Sequence, residues 1–193
     1  FLESLMTLYA VTGDKLWLEK AKVQAALAST WVLSYDHVFP PESHIGKLGC
    51  HMAGAVWASA QNKHAAPGIC TSSGDSLFKL FRATGDRRFA ELLRDIQHAH
   101  TEATEWPGHR TTGTGIGASM ERIQSTDGEG KEAIGNFIET QNAWCELDGL
   151  MMVTEIPGIY VRTDKPVLFT FDHVSARILD QKSGQTTIEI VNK

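Results

Sequence analysis

Acidic residues and a cysteine stand near the beginnings of two segments with helical periodicity. Asp75 lies at the start of one segment, and Cys145, Glu146 and Asp148 lie in the first turns of the other. Two carboxylates on either side of a bond can protonate the leaving oxygen and attack or activate water, which is the chemistry of glycosidic-bond hydrolysis. Acidic residues also favour a helix start through the helix dipole, so a structural role stays open for these carboxylates. The predicted catalytic residues are Glu146, Asp148, Asp75 and Cys145.

Aromatic and polar side chains near the same segments are candidates for contacting a ligand. Trp144 opens the second segment, and Trp106 precedes Pro107 in a stretch rich in glycine and threonine. An aromatic ring offers a flat apolar face that can cover the C–H face of a pyranose. Arg110 could bind a carboxylate such as that of a uronic acid, or could be an exposed loop charge. The predicted substrate-binding residues are Trp144, Trp106, His44 and Arg110.

The three cysteines, Cys50, Cys70 and Cys145, are widely spaced along the chain. An odd number without a dense framework argues against a disulfide scaffold and favours buried thiols. Zinc takes three protein ligands in catalytic sites and four in structural ones. The sequence therefore predicts no cofactor, with zinc kept as the alternative.

An internal repeat indicates the elements that position these residues. The sequence LYAVTGD at residues 8–14 returns as LFRATGD at residues 80–86. Glycine can adopt the left-handed conformation that ends a helix, and the following aspartate can accept hydrogen bonds from the first N–H groups of the next helix. Each copy therefore predicts two helices joined by a very short turn. Apolar residues at intervals of three and four on either side of each turn support this interpretation.

The pattern changes towards the end of the chain. After Pro157-Gly158 the apolar period falls to two, which predicts strands near residues 159–161, 167–173 and 186–191. We expect a helix over residues 47–61 and a long loop over residues 106–130. The predicted fold class is mainly α with a C-terminal β segment. The predicted domains are a helical hairpin domain over residues 1–156 and the start of a β-sandwich-like domain over residues 157–193.

Three stretches, in this order, resemble the C-terminal half of the β-L-arabinofuranosidase-like glycoside hydrolases. They are Gly68-Ile69-Cys70 with the turn at residues 84–90, then Trp144-Cys145, then residues 156–161. The resemblance implies αα-hairpins of an incomplete (α/α)6 toroid followed by antiparallel strands, with a sugar-binding cavity at the end that carries the long loops. That family holds a cysteine nucleophile on zinc with a Glu-x-Cys and a Cys-Cys pair. Here Gly68 replaces the glutamate and Trp144 replaces one cysteine. The resemblance therefore leaves Cys70 and Cys145 as the candidates for a metal site, two ligands short of the family's four.

The function expected from this resemblance is part of a carbohydrate-active enzyme. Most specifically, it is a glycoside hydrolase, or six-hairpin glycosidase, that cleaves a glycosidic bond in a plant or bacterial polysaccharide. A toroid polysaccharide lyase is one alternative, and a non-catalytic sugar-binding scaffold is another. Activity on a neutral glycoside, on a uronate polymer or on neither would separate the three.

Composition and chain ends shape the expected partners. Apolar residues make up 42 % of the chain, which indicates a folded protein. The formal net charge of −5 argues against a nucleic-acid binder, which usually carries a clustered basic face. No apolar stretch approaches the roughly 20 residues that span a bilayer. The chain begins at Phe1 inside an amphipathic pattern and ends just after a strand pattern. We therefore expect a piece of a longer protein that self-associates or pairs with the missing part of its toroid. The resemblance implies a bacterial parent that is exported, while the sequence itself leaves the compartment unknown.

Overall fold

A computed structural model describes residues 1–58, 64–66, 73–126, 130–138 and 143–192. The α-helices in these residues are α1 (Leu2–Thr12), α2 (Lys15–Ser29), α3 (His44–Leu48), α4 (Asp75–Thr84), α5 (Arg87–Ala103) and α6 (Trp144–Glu155). The strands are β1 (Val56–Trp57), β2 (His64–Ala66), β3 (Arg122–Gln124), β4 (Phe137–Ile138), β5 (Ile159–Arg162), β6 (Val167–Thr170), β7 (Val174–Lys182) and β8 (Gln185–Asn192).

The prediction of a mainly α chain is wrong. Helix accounts for 42 % and strand for 23 %, in small antiparallel sheets, so the fold is mixed α and β. The sequence missed a four-stranded sheet in the order β1-β2-β3-β4, and it missed β7. The helix expected over residues 47–61 is also wrong, because α3 ends at Leu48 and β1 follows. Strands of two or three residues are too short to display an alternating pattern.

The structure confirms both helical hairpins of the internal repeat. Gly13 (φ 68°) and Gly85 (φ 73°) end α1 and α4 in the left-handed conformation. Asp14 then accepts a hydrogen bond from the backbone N–H of Leu16 at 2.8 Å, and Asp86 accepts one from Arg88 at 3.1 Å. The threonine before each glycine donates to the carbonyl four residues earlier at 2.7 Å in both copies. The repeated letters therefore encode a repeated set of hydrogen bonds.

The Asp86 cap provides a prediction about stability. Asp86→Ala leaves an N–H group at the start of α5 without its side-chain acceptor, so we expect the free energy of unfolding to fall by about 1 kcal/mol. Asp86→Asn keeps a capping oxygen and should stay within a few tenths of a kcal/mol of the wild type. Urea unfolding followed by circular dichroism measures both variants, and equal losses in the two would contradict the capping role.

An aromatic cluster joins the helices to the strands that follow α6. The Phe78 ring meets the rings of Tyr160 and Phe171 edge-on, with centroids 5.3 Å and 5.6 Å apart. Phe81 and Phe169 are almost fully buried in the same cluster. The helical core therefore continues across residue 156. The division into two domains at that residue stays a prediction.

A second apolar cluster lies under the four-stranded sheet, with Ile45, Met52, Met120 and Ile123 fully buried in it. Next to it, the segment after α5 contains most of the buried polar side chains of the described residues. The buried polar residues between positions 100 and 125 are His100, Glu105, His109, Thr111, Ser119, Glu121, Gln124 and Ser125. Buried polar groups are costly unless paired, so this segment is the first place to look for function.

Candidate functional site

A tight turn shapes the segment after α5. Trp106 and His109 exchange backbone hydrogen bonds of 3.2 Å and 2.9 Å across Pro107-Gly108. Proline at the second turn position and Gly108 at φ 90° are what a type II turn requires. The turn stacks the Trp106 ring on the His109 ring, with centroids 4.9 Å apart and planes 14° apart. Trp106, a predicted sugar contact, therefore has one face covered by a histidine.

Arg110, another predicted substrate contact, pairs with a buried carboxylate of the protein itself. Its Nε atom lies 2.8 Å from Oε1 of Glu105, whose other oxygen accepts from the Thr112 hydroxyl at 3.0 Å and the Gly113 N–H at 2.7 Å. Burial raises the pKa of Glu105, but the hydrogen bonds from Gly113 and Thr112 and the charge of Arg110 outweigh it, so the net pKa is below the usual value.

Glu105 gives a prediction about pH. Because its pKa is lowered in the folded state, the ionised carboxylate stabilises the fold above its ordinary value of 4.5, and this stability is lost as pH falls through the lower folded value. Glu105→Gln should therefore unfold at lower urea than the wild type at pH 7, and the difference should shrink below pH 4.5. A difference that is constant with pH would contradict the prediction.

The start of α6 packs against α5 and the segment between them. Nε2 of His100 donates to the Cys145 carbonyl at 2.9 Å, and Cys145 is buried. Oε1 of Glu146 accepts from the Ser119 N–H at 3.0 Å, while its buried Oε2 has no hydrogen-bond partner among the described residues. Burial raises the pKa of Asp148. Trp144 is 46 % exposed. Among the predicted residues of α6, Cys145 and Glu146 therefore make contacts inside the protein, whereas the Trp144 ring is exposed.

His44 links α3 to the segment after α5. Its Nε2 atom hydrogen-bonds the Thr111 carbonyl, and its ring lies 4.8 Å from the Phe137 ring. Both contacts are internal to the protein. In this structure His44 therefore connects three elements rather than facing a cavity.

A cavity of about 700 Å³ opens where α4 begins. All four predicted catalytic residues lie in the described part of the chain, and of these four Asp75 alone lines the cavity. Asp75 forms an ion pair with Lys79 one turn along α4. The wall also contains Trp31, Trp57 and two further carboxylates, those of Glu3 and Glu155. Trp31 lies two residues after the end of α2, and Trp57 lies in β1. Neither is among the predicted substrate-binding residues.

Cys145, Glu146 and Asp148 lie together on α6, outside the described wall of the cavity that Asp75 lines. Glu155, in the last turn of α6, lines the cavity with Asp75. Glu146 stands nine residues earlier on α6, about 13 Å along the helix axis at 1.5 Å per residue. Paired carboxylates of glycosidases lie roughly 5 to 9.5 Å apart. The partner of Asp75 is therefore to be sought in the cavity wall rather than at the start of α6.

A polar cluster outside the described wall of the cavity combines a cysteine, a glutamate and a histidine. One ligand atom each of Cys50, Glu102 and His109 lies within 4.8 Å of the others. Burial and the charge of Glu102 raise the pKa of the Cys50 thiol to about 12. The sequence interpretation missed this cluster because Cys50 is 52 residues from Glu102 and 59 from His109. Cys70, the other half of the cysteine pair singled out from the sequence, lies outside the described residues.

Comparison with known proteins adds no relative. The chain matches no protein-family model, no curated protein and no solved structure. None of the helices in the described part of the chain is long and apolar enough to cross a membrane. The function must therefore be inferred from the cavity and the polar clusters themselves.

Proposed function

We propose that this chain contributes the substrate cavity of a carbohydrate-active enzyme, a glycoside hydrolase. The observation that carries the proposal is the cavity of about 700 Å³, which Trp31, Trp57 and Asp75 all line. Ligand cavities in proteins run from about 300 to 1,000 Å³, so this one accommodates a short oligosaccharide. The motif order that resembles the β-L-arabinofuranosidase-like glycoside hydrolases supports the same class of enzyme.

The side chains of the cavity match the surface of a sugar. Trp31 is 48 % exposed and Trp57 is partly exposed, so their rings can cover apolar C–H faces. Hydrolysis of a glycoside needs one carboxyl group as acid and another as nucleophile or base. Asp75 supplies one carboxylate, and Glu3 or Glu155 supplies the second. The substrate class is a neutral saccharide, since the described carboxylates in the wall would repel a uronate.

Titration with neutral oligosaccharides tests the site, followed by tryptophan fluorescence and calorimetry. Trp31→Ala should weaken binding by about tenfold or more, since aromatic contacts are worth about 1.5 kcal/mol. Trp144→Ala is the matched control, because Trp144 is exposed to the same degree but lies outside the described wall of the cavity. Loss of binding in Trp144→Ala alone would move the site to the start of α6 and overturn the proposal.

Assays on a panel of aryl glycosides and uronate polymers test the reaction. Release of reducing sugar from a neutral glycoside supports the hydrolase. Unsaturated products from a uronate polymer would indicate a lyase instead. Tight sugar binding without either activity would favour the non-catalytic scaffold, and no binding to any saccharide would contradict all three.

We also propose self-association through α1 and α2. Phe1, Leu8, Trp17 and Val23 line an apolar groove of about 500 Å³ between these helices. Val23 is largely exposed there, so Val23→Lys should leave the fold intact. It should weaken association about tenfold, because burying a valine is worth about 1.5 kcal/mol. Sedimentation velocity measures the effect.

A similarly exposed apolar residue outside the groove, Leu179 of β7, provides the control variant Leu179→Lys. It should associate as the wild type does. A wild-type protein that sediments as a single monomer at all concentrations would contradict the proposal.

A further inference from the structure

We propose that Cys50, Glu102 and His109 form a binding site for a zinc ion, separate from the sugar cavity. Their ligand atoms all lie within 4.8 Å of one another, and Cys50 and His109 are buried. The residues come from three different parts of the fold, namely the segment after α3, the last turn of α5 and the turn that follows α5. Cys50 is 52 residues from Glu102 and 59 from His109, so the fold brings the thiol to the other two residues.

The separations suit tetrahedral coordination. A zinc ion with bonds of about 2.3 Å to sulfur and 2.0–2.1 Å to nitrogen holds those two ligands about 3.6 Å apart at the tetrahedral angle. Sγ of Cys50 lies 3.8 Å from Nε2 of His109. Small side-chain rotations would bring the Glu102 carboxylate, within 4.8 Å of both, to the same distance. The separation of Sγ and Nε2 is therefore already close to that of two zinc ligands, and the His109 ring turns away from the Glu102 carbonyl to complete the site.

The surrounding residues hold each ligand in place. Stacking on Trp106 fixes the plane of the His109 ring. The backbone N–H of His51 donates to Oε2 of Glu102 at 3.4 Å. Asp36 accepts from the N–H groups of Met52 and Ala53, both at 2.9 Å, and so anchors the segment that begins with Cys50. Zinc ligands are commonly oriented by such outer contacts, and these are present before a metal binds.

The ligand chemistry favours zinc over other cations. A thiolate with an imidazole suits zinc, whereas magnesium and calcium take oxygen ligands. A thiolate and a carboxylate together balance the charge of a divalent ion. Binding breaks the S–H bond of Cys50 and releases its proton to solvent. The Nε2–H of His109, now directed at the Glu102 carbonyl 2.8 Å away, gives way to the metal, and the proton is carried by Nδ1 instead. Three protein ligands leave a fourth position for water.

Two measurements on the full chain test the site. Equilibrium dialysis should show one tightly bound Zn²⁺ per chain. Co²⁺ in its place should give the near-ultraviolet absorption of a cobalt–thiolate bond, which a merely structural thiol would not produce. Cys50→Ser should abolish that absorption and weaken zinc binding by more than about 100-fold, since even outer-shell changes cost roughly 10–100-fold.

Cys145→Ser tests the rival thiol that the sequence offered as a metal ligand, because Cys145 is also buried but lies outside the cluster. It should bind Zn²⁺ as the wild type does and keep the cobalt–thiolate absorption. Glu102→Gln removes a half-buried ligand with little risk to folding, and it should weaken binding while leaving the far-ultraviolet circular dichroism unchanged. Loss of the absorption in Cys145→Ser, or its persistence in Cys50→Ser, would overturn the proposal, as would a wild-type chain that binds no Zn²⁺.

Discussion

Asp75→Asn is expected to reduce hydrolysis of a cleavable aryl glycoside by about 10²- to 10⁴-fold. The substitution keeps the size of the side chain and removes the charge that a nucleophile or base needs. Because an amide can still hydrogen-bond a hydroxyl group, saccharide affinity should change by less than about tenfold. A fall in kcat with nearly unchanged KM would locate the effect in the reaction rather than in binding.

Glu91→Gln is the control for this prediction. Glu91 pairs with Arg87 one turn away on α5, as Asp75 pairs with Lys79 on α4, so each variant removes one partner of an i, i+4 ion pair. Glu91 lies outside the described wall of the cavity. Glu91→Gln should keep full activity, because such surface pairs contribute less than about 1 kcal/mol to stability. Equal activity losses in the two variants would remove Asp75 from the reaction.

The parts of the fold that were predictable are those encoded locally. Each Thr-Gly-Asp turn contains its own helix stop and helix cap, so residues 8–14 and 80–86 specify a hairpin without help from distant contacts. The end of α6 and strands β5, β6 and β8 follow from a change of apolar period near Pro157-Gly158. The four-stranded sheet was not predictable in this way, because β2 pairs with β3 across almost sixty residues and each strand is only three residues long.

The same difference between local and long-range information explains which residues of the candidate site could be predicted. Asp75 could be selected because a helix start is visible in sequence, and it lines the cavity. Glu146 was selected by the same rule, yet it lies in the first turn of α6, whereas the last turn of that helix lines the cavity. Trp31 was not selected from the sequence, although its side chain is half exposed and lines the cavity. Amphipathic spacing identifies the inward face of a helix, but it does not show which residues near the helix end are left without packing contacts.

Gly54→Ala is expected to lower the free energy of unfolding by about 3–5 kcal/mol. Gly54 has φ 96°, and a Cβ atom there would lie 1.9 Å from the carbonyl oxygen of Asp95 and 2.9 Å from the N atom of Ile96. Both obstacles are backbone atoms of α5, so no side chain can rotate away. The N–H of Gly54 also donates to the Leu33 carbonyl at 2.8 Å. This hydrogen bond restrains the loop from moving away from α5.

Gly13→Ala separates the clash from the backbone strain. Gly13 has φ 68° and nothing within 4 Å of a Cβ at that position, so alanine there carries only the left-handed penalty of about 1–2 kcal/mol. Urea unfolding should therefore rank Gly54→Ala well below Gly13→Ala, and equal stabilities would show that the loop is not packed against α5. Gly54 lies four residues after Cys50, and the same loop positions that thiol against Glu102. If Gly54→Ala still folds, it should bind Zn²⁺ less tightly than Gly13→Ala, because a shifted loop moves the sulfur away from the other two ligands.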